Sequence, residues 1–450
     1  MSSRTKNMTE GRPISLILTF ALPLMAGNVF QQLYTVVDTM VVGKYLGVNA
    51  LAAIGASDWI NWMMLGIIQG FTQGFAILMA QEFGARKTER LRKVIGSSAT
   101  LSLLLSLFLV MAGQLAARSV LELLHTPELI IGSSLLYLRI MFMGIPVVMA
   151  YNLSACILRS LGDSKTPLQA MLVASATNIA LDLVFVIVFH RGIAGAAVAT
   201  LIAQLVSGIY CLYHIRRIDI LTMHKSDFIL QAGLCGKLML LGCPMAFQNC
   251  IIAVGGMIVQ LVVNGFGVLF IAGFTATNKL YGILEIAATS YGYAMITYVG
   301  QNLGAGKIAR IRQGLRAALV IAVVTSVVIA GVMLVFGRFI LGAFISGTPE
   351  EAGQAMNVAY LYLAIMSVCL PVLYILHIIR STIQGMGNTV LPMLSGIMEF
   401  MMRTLAALLL PLWFGEIGIF FAEIAAWAGA DVVLIISYFV ISHKIEKAVT

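Results

Sequence analysis

Two aspartates occupy places where an aspartate is costly: Asp38 within the apolar run over 14–42, and Asp182 within the run Ile179-Ala180-Leu181-Asp182-Leu183-Val184-Phe185. An ionised carboxylate in hydrocarbon costs roughly 3 kcal/mol on insertion scales, so each acid needs a partner, a proton or water. Asn178 precedes Asp182 by one helical step and shares its face, while Gln31, Tyr34 and Asp38 form a polar stripe at helical spacing. Two carboxylates in one desolvated site cannot both carry charge cheaply, which suits such a pair to taking up and giving off a proton. The same residues also serve a fold as permanently hydrogen-bonded structural acids. Residue type and spacing leave both readings open.

The elements that position these side chains must be membrane helices. Sixty per cent of the 450 residues are hydrophobic, 10% are charged and mean hydropathy is +0.97, far from the balance of a soluble domain. Runs of about 20 apolar residues, each able to cross the hydrocarbon as a helix, recur along the chain. We count twelve, with the fourth over 129–159 and the fifth over 168–190. The formal net charge of +9 is a matter of topology and gives no support to nucleic acid binding. With both termini in the cytoplasm, Arg86, Lys87, Arg90, Arg92, Lys93, Arg216, Arg217, Lys307, Arg310, Arg312, Arg380, Lys444 and Lys447 fall inside. Only Lys44, Arg118, Arg191 and Arg338 fall outside. That bias follows the positive-inside rule and predicts a multi-pass protein of the cell membrane, with anionic lipid as a secondary partner. Cys156, Cys211, Cys235, Cys243, Cys250 and Cys369 lack metal-ligand spacing and read as small buried hydrophobes. Neither a phosphate-binding glycine loop nor a nucleophile constellation is visible, so no enzyme, metal or cofactor is expected.

The chain also resembles itself. Tyr137, Leu138, Ile140, Met141, Pro146, Gly162 and Pro167 recur 225 residues on as Tyr362, Leu363, Ile365, Met366, Pro371, Gly387 and Pro392. Gln81, Gly84, Ala85, Lys87, Arg90 and Arg92 recur at an offset of 220 as Gln301, Gly304, Ala305, Lys307, Arg310 and Arg312. The predicted division is an N-lobe over 1–220 with the first six spans and a C-lobe over 221–450 with the last six. Because six is even, both lobes start on the same side, giving parallel repeats of the kind secondary transporters use. Between them, Phe228 to Lys237 is expected to run as a helix along the membrane surface. Pro23 and Pro244, like Pro146 and Pro371, occupy matching places where each removes a backbone hydrogen bond and predicts a bend.

Several stretches together resemble the multidrug and toxic compound extrusion (MATE) family: Pro23-Leu24-Met25, Gln31-Gln32-Leu33-Tyr34 with Val37-Asp38-Thr39, Tyr137-Leu138-Arg139-Ile140, Leu158-Arg159-Ser160-Leu161-Gly162-Asp163-Ser164-Lys165-Thr166-Pro167, and Gly300-Gln301-Asn302-Leu303-Gly304-Ala305-Gly306-Lys307. Thr177-Asn178-Ile179-Ala180-Leu181-Asp182 is similar to the DinF-like branch. The resemblance implies an all-α membrane fold of twelve helices in two parallel, pseudo-symmetric six-helix bundles. It also implies a proton-coupling site at Asp38, Asn178 and Asp182, joined by Thr200. By helical rise Asp38 lies about 36 Å from the cytoplasmic start of its span and Asp182 about 22 Å beyond Pro167, so tilt and the bend at Pro23 let them meet. The NorM-like branch carries acids on its seventh and tenth helices. Here Gln248 stands in the former region and no carboxylate occurs from Tyr362 to Gln384, against a sodium site of that type.

The second half differs at the equivalent depth, where Asn178 becomes Arg403 and Asp182 becomes Ala407. Arg403 is expected to pair with Glu399 at i−4, and Lys279 and Glu285 to complete a near-neutral network that packs this half or lines its cleft. Gln31, Tyr34, Gln248, Lys279, Glu285, Glu399 and Arg403 are the candidate cleft residues. Asp58, Glu423 and Asp431 stand without assignment. The expected function is proton-coupled antiport of amphipathic, often cationic, small molecules by a monomer using alternating access. Export driven by sodium, and a lipid-linked sugar flippase, whose cleft would need to be basic, are the alternatives.

Overall fold

The computed structural model describes residues 5–345 and 348–449; within these, the side chains of Leu33, Tyr34, Val48 and residues 444–449 lie outside the described set. The described residues form helices and no strands. They are α1 Pro13–Leu46, α2 Val48–Gly84, α3 Thr88–Leu123, α4 Glu128–Met143, α5 Ile145–Ser160, α6 Lys165–Asp182, α7 Gly192–Ile215, α8 Ala232–Val263, α9 Val268–Gly304, α10 Ile308–Leu341, α11 Pro349–Gly385, α12 Val390–Phe414 and α13 Phe421–Val449. The sequence imposes this, because in hydrocarbon a helix satisfies every backbone group within its own segment. Among the described residues nine helical stretches are long and apolar enough to cross a membrane, or ten with the bent pair α4 and α5 taken as one span. One of the nine, Val390–His443, holds both α12 and α13, and α9 adds a further 37-residue helix, in agreement with twelve expected spans.

The prolines do not act alike. Pro23, Pro244 and Pro371 remain inside continuous helices. Only the fourth expected span is broken, at Gly144, where α4 and α5 meet at 48° and Pro146 sits in the first turn of α5. The surface helix expected over Phe228 to Lys237 is also corrected. A short 3-10 turn covers Lys225–Phe228, and by Ala232 the chain is already in α8. Of the cysteines, Cys156 and Cys211 are buried as expected, but Cys243 is exposed.

Contacts divide the chain into two compact units. One comprises Met1–Glu10, Leu22–Ala246 and Gly300–Gly306; the other comprises Gly11–Ala21, Phe247–Val299 and Lys307–Thr450. In the first, α2 packs on α3, α4 and α5, and α7 on α5 and α6, around buried Ile60, Ile68, Leu109, Leu138, Phe142 and Met149. In the second, α11 packs on α10 and α13, and α12 on α13. Its centre is an aromatic stack in which Tyr362 lies 4.7 Å from Phe274 and 4.8 Å from Phe420, centroid to centroid, close to the favoured spacing of offset rings.

The repeated sequence blocks have a local reason. Gly162 and Gly387 both take positive φ, +84° and +86°, where a side chain would strain the turn. The next residue in each copy caps the following helix: Asp163 Oδ1 accepts from the Lys165 and Thr166 amides at 3.0 Å, and Asn388 Oδ1 accepts from the Leu391 amide at 3.1 Å. The second block meets its own copy, since a Cβ on Gly84 would come within 2.0 Å of the Gln301 carbonyl oxygen and one on Gly304 within 1.9 Å of the Gln81 carbonyl oxygen. Gln301 also holds the chain's beginning, its Oε1 accepting from the buried Met8 amide at 2.8 Å while its Nε2 donates to the Ser160 carbonyl at 2.9 Å.

Gly84→Ala is therefore expected to lower the thermal unfolding temperature of the purified protein, because the new methyl meets backbone that cannot step aside. Gly132→Ala, where a Cβ meets nothing within 4 Å, should leave it unchanged or raise it slightly. Equal melting of Gly84→Ala and the unaltered protein would contradict the close helix approach. Gln301→Leu, which strips the Met8 amide of its acceptor, should cost about 1–3 kcal/mol.

Candidate functional site

Helix α6 brings Asn178 and Asp182 to one face and ends at Asp182, after which the backbone passes into a π-helical turn over Leu183–Val188. Such i→i+5 turns widen a helix locally and gather at functional sites. Helix α1 brings Asp38 to the same place. The Asp38 and Asp182 carboxyl groups lie at hydrogen-bond range of each other. Neither oxygen of Asp182, nor Oδ1 of Asp38, nor Oδ1 of Asn178 receives a hydrogen bond from any donor among the described residues. Asn178 Nδ2 approaches Thr200 Oγ1 at 3.5 Å, and that hydroxyl donates to the Ala196 carbonyl at 3.1 Å. Asp182 and Asn178 are each 1% exposed. A contact between two carboxyl groups is attractive only while one of them carries a proton, so the pair has a built-in use for one.

The surroundings of the pair are apolar and hold no countercharge among the described residues. An apolar cluster of Val41, Val42, Ala50, Val186 and Ala196, supported by Val37 and Ile54, draws on α1, α2, the π turn and α7. Val41 and Val42 follow Asp38 on α1, Val186 lies one helical step past Asp182, and Ala196 one step before Thr200. No arginine or lysine among the described residues forms an ion pair with either acid. Asp58 on α2, unassigned from the sequence, is close enough to Asp38 for their charges to interact, and it is exposed. Of the other stripe residues, Gln31 is half-buried and the Tyr34 side chain lies outside the described residues.

In the second unit charges are instead compensated. Arg403 Nη2 lies 3.0 Å from Glu399 Oε1, the i−4 pair expected, and 2.8 Å from Glu423 Oε2. Glu399 also takes Arg380 at 2.7 Å, and Glu285 faces His377 at 3.2 Å. Asp431 lies within electrostatic reach of Arg380 and Glu399, with its Oδ1 unpartnered. Gln248 is buried and accepts from Gln384 Nε2 at 3.5 Å. Two expectations are corrected. Lys279 is exposed and outside this network, whereas Arg380, placed by the sequence reading among the cytoplasmic loop charges, is buried inside α11. Among the described residues the network thus gathers four carboxyl groups, Glu285, Glu399, Glu423 and Asp431, around Arg380, Arg403 and the imidazole of His377. The sequence reading missed His377, Arg380 and Glu423 as members. The i, i+3 spacing of His377 and Arg380 was the available signal, but their partners lie on other helices.

Arg403→Leu should leave Glu423 buried without its cation and cost about 3–5 kcal/mol, whereas Arg403→Leu with Glu423→Leu should recover much of that loss. Chemical unfolding of the unaltered protein, Arg403→Leu, Glu423→Leu and the double variant measures the coupling. Additive losses would mean that the two side chains do not support each other.

The comparisons agree with this fold. The MatE family model matches the chain twice, over residues 23–184 and 244–409. The probable multidrug resistance protein YpnP of Bacillus subtilis is 29% identical, with 92% of each chain covered. Another relative from that organism, the probable multidrug resistance protein YoeA, is also 29% identical, over 73% of this chain and 72% of its own. A crystal structure of MATE in a bent conformation superposes with a TM-score of 0.91 at 20% identity, covering 100% of this chain and 99% of that one. The two matched segments begin at Pro23 and Pro244, prolines that the internal repeat had already equated. With that double match spanning most of its length, the chain belongs to the MatE family, whose members are membrane transporters and not enzymes.

Proposed function

We propose that the protein is a proton-coupled antiporter that exports amphipathic, often cationic, organic compounds across the cell membrane by alternating access, working as a monomer with both termini in the cytoplasm. The observation that carries this reading is the carboxyl-to-carboxyl contact of half-buried Asp38 with buried Asp182, beside an apolar cluster and unrelieved by any cation among the described residues. Facing inward, the deprotonated pair attracts a cationic compound. Facing outward, protonation from the external medium removes the charge and releases it. The proton drives the cycle only by the difference in its affinity between the two states. Relatives named as multidrug resistance and multidrug export proteins support the substrate class.

One observation favours sodium as the second reading. The unpartnered atoms Asp38 Oδ1, Asp182 Oδ1, Asp182 Oδ2 and Asn178 Oδ1 are all acceptor oxygens, the donor type that coupling cations take. The flippase reading gains nothing, because the guanidinium groups of Arg380 and Arg403 are already taken up by Glu399 and Glu423.

Reconstitution into vesicles separates these readings. Ethidium movement should follow an imposed pH gradient, grow as the external side is made more acidic than the internal side, and vanish when the two are equal. A sodium gradient at equal pH should leave it at the level of empty vesicles. Asp38→Asn and Asp182→Asn should each abolish gradient-driven export while the protein remains folded by its thermal unfolding. Transport of unchanged pH dependence in either variant would remove the assignment, and export driven by sodium alone would replace proton by sodium.

A further inference from the structure

The ends of α3 and α8 that carry the charge bias enclose a groove of about 670 Å3 between the first turns of the two helices. Its walls present Lys87, Arg90 and Lys93 from the start of α3 and Lys237 from α8, with Thr88 and Gly233 marking the two helix beginnings. Part of this charge is already used, since Arg90 pairs with Glu82 at 2.9 Å and Lys93 with Glu89 at 2.7 Å. Lys87 and Lys237 are exposed and form no ion pair among the described residues. Two helix N-termini add the partial positive charge of their free amides to the same space.

An apolar lip adjoins this basic groove. Phe228, Ile229 and Leu230 directly precede the groove residue Gln231 and are 43%, 65% and 39% exposed. Their strand of chain is fastened to α3: Thr100 Oγ1 donates to the Phe228 carbonyl at 2.9 Å, Arg92 lies 3.9 Å from Asp227, and a Cβ on Gly96 would come within 2.2 Å of the Asp227 carbonyl oxygen. Farther along the two helices, Leu103 and Leu107 of α3 and Leu240 of α8 are exposed by half or more. A charged, amide-rich head site thus opens beside apolar surface that continues into the membrane.

We infer that this groove holds the head group of an anionic glycerophospholipid from the cytoplasmic leaflet, its phosphate between Lys87 and Lys237 and its acyl chains along Ile229, Leu230 and the outer faces of α3 and α8. A free phosphate would satisfy the lysines but leave the apolar lip uncovered, and a zwitterionic lipid would bring its own cation against theirs. The inference is independent of which ion drives transport.

The test titrates the purified full-length protein in neutral detergent with short-chain phosphatidylglycerol, short-chain phosphatidylcholine and inorganic phosphate, following thermal unfolding. Phosphatidylglycerol should stabilise the protein saturably, and the other two should not. At roughly a kilocalorie per cation near an anionic surface, Lys87→Gln with Lys237→Gln should weaken phosphatidylglycerol about thirtyfold. Lys87→Arg with Lys237→Arg should retain it, which separates loss of charge from loss of fold. Arg217→Gln with Lys225→Gln, which removes equal charge outside the groove, should also retain it. Undiminished lipid binding in the first double variant overturns the assignment. So does an equal loss in the Arg217 and Lys225 variant, or stabilisation by inorganic phosphate matching that by the lipid.

Discussion

The absence of water from hydrocarbon governs this structure. A backbone amide or a carboxylate there must find its partner within the protein, or take up a proton. The backbone is served by helices throughout. For side chains the two units adopt opposite solutions. The second answers Glu399 and Glu423 with Arg380 and Arg403, giving a network whose members are fixed by one another. The first sets Asp38 against Asp182 beside a cluster of valine and alanine, with no cation paired to either among the described residues.

Duplication explains how one fold carries both solutions. The repeated Gly162-Asp163 and Gly387-Asn388 corners are structural: each needs a glycine at positive φ and a side-chain oxygen to cap the next helix. The repeated glutamine and glycine of α2 and α9 survive because each copy meets the other where no Cβ fits. Where neither constraint applies the copies have diverged, so that Asn178 is matched by Arg403 and Asp182 by Ala407. The π turn after Asp182 belongs to the first copy. At the corresponding depth α12 runs on as an α-helix through Ala407.

Lys87 and Lys237 lie far apart in sequence, yet both line one groove, because the chain entering α8 is fastened to α3 through Asp227 and Phe228. Basic residues far apart in the sequence become, at this place, a local concentration of positive charge next to apolar surface.

Much of the architecture was legible in the residues. Apolar run length gave the membrane helices, internal similarity gave the repeat, and Asp38 and Asp182 stood out because acids in such runs are rare, with Asn178 joining them through the family resemblance. The i−4 pair of Arg403 with Glu399 was legible too, since helical periodicity is a local property. What lay beyond the sequence was partnership between helices: that Glu423 answers Arg403, that Arg380 turns inward from a position counted as loop charge, that Lys279 stays outside, and that Asp38 touches Asp182. Pro146 and Pro371 occupy matching places, yet only the former adjoins a break, at Gly144, so bending also depends on what packs around the helix. Composition and period by themselves determined which segments are helical and which groups must be relieved of charge. Only the tertiary structure decided how each is relieved, because a countercharge acts over a few ångströms in space and its sequence distance is set by the packing of other helices.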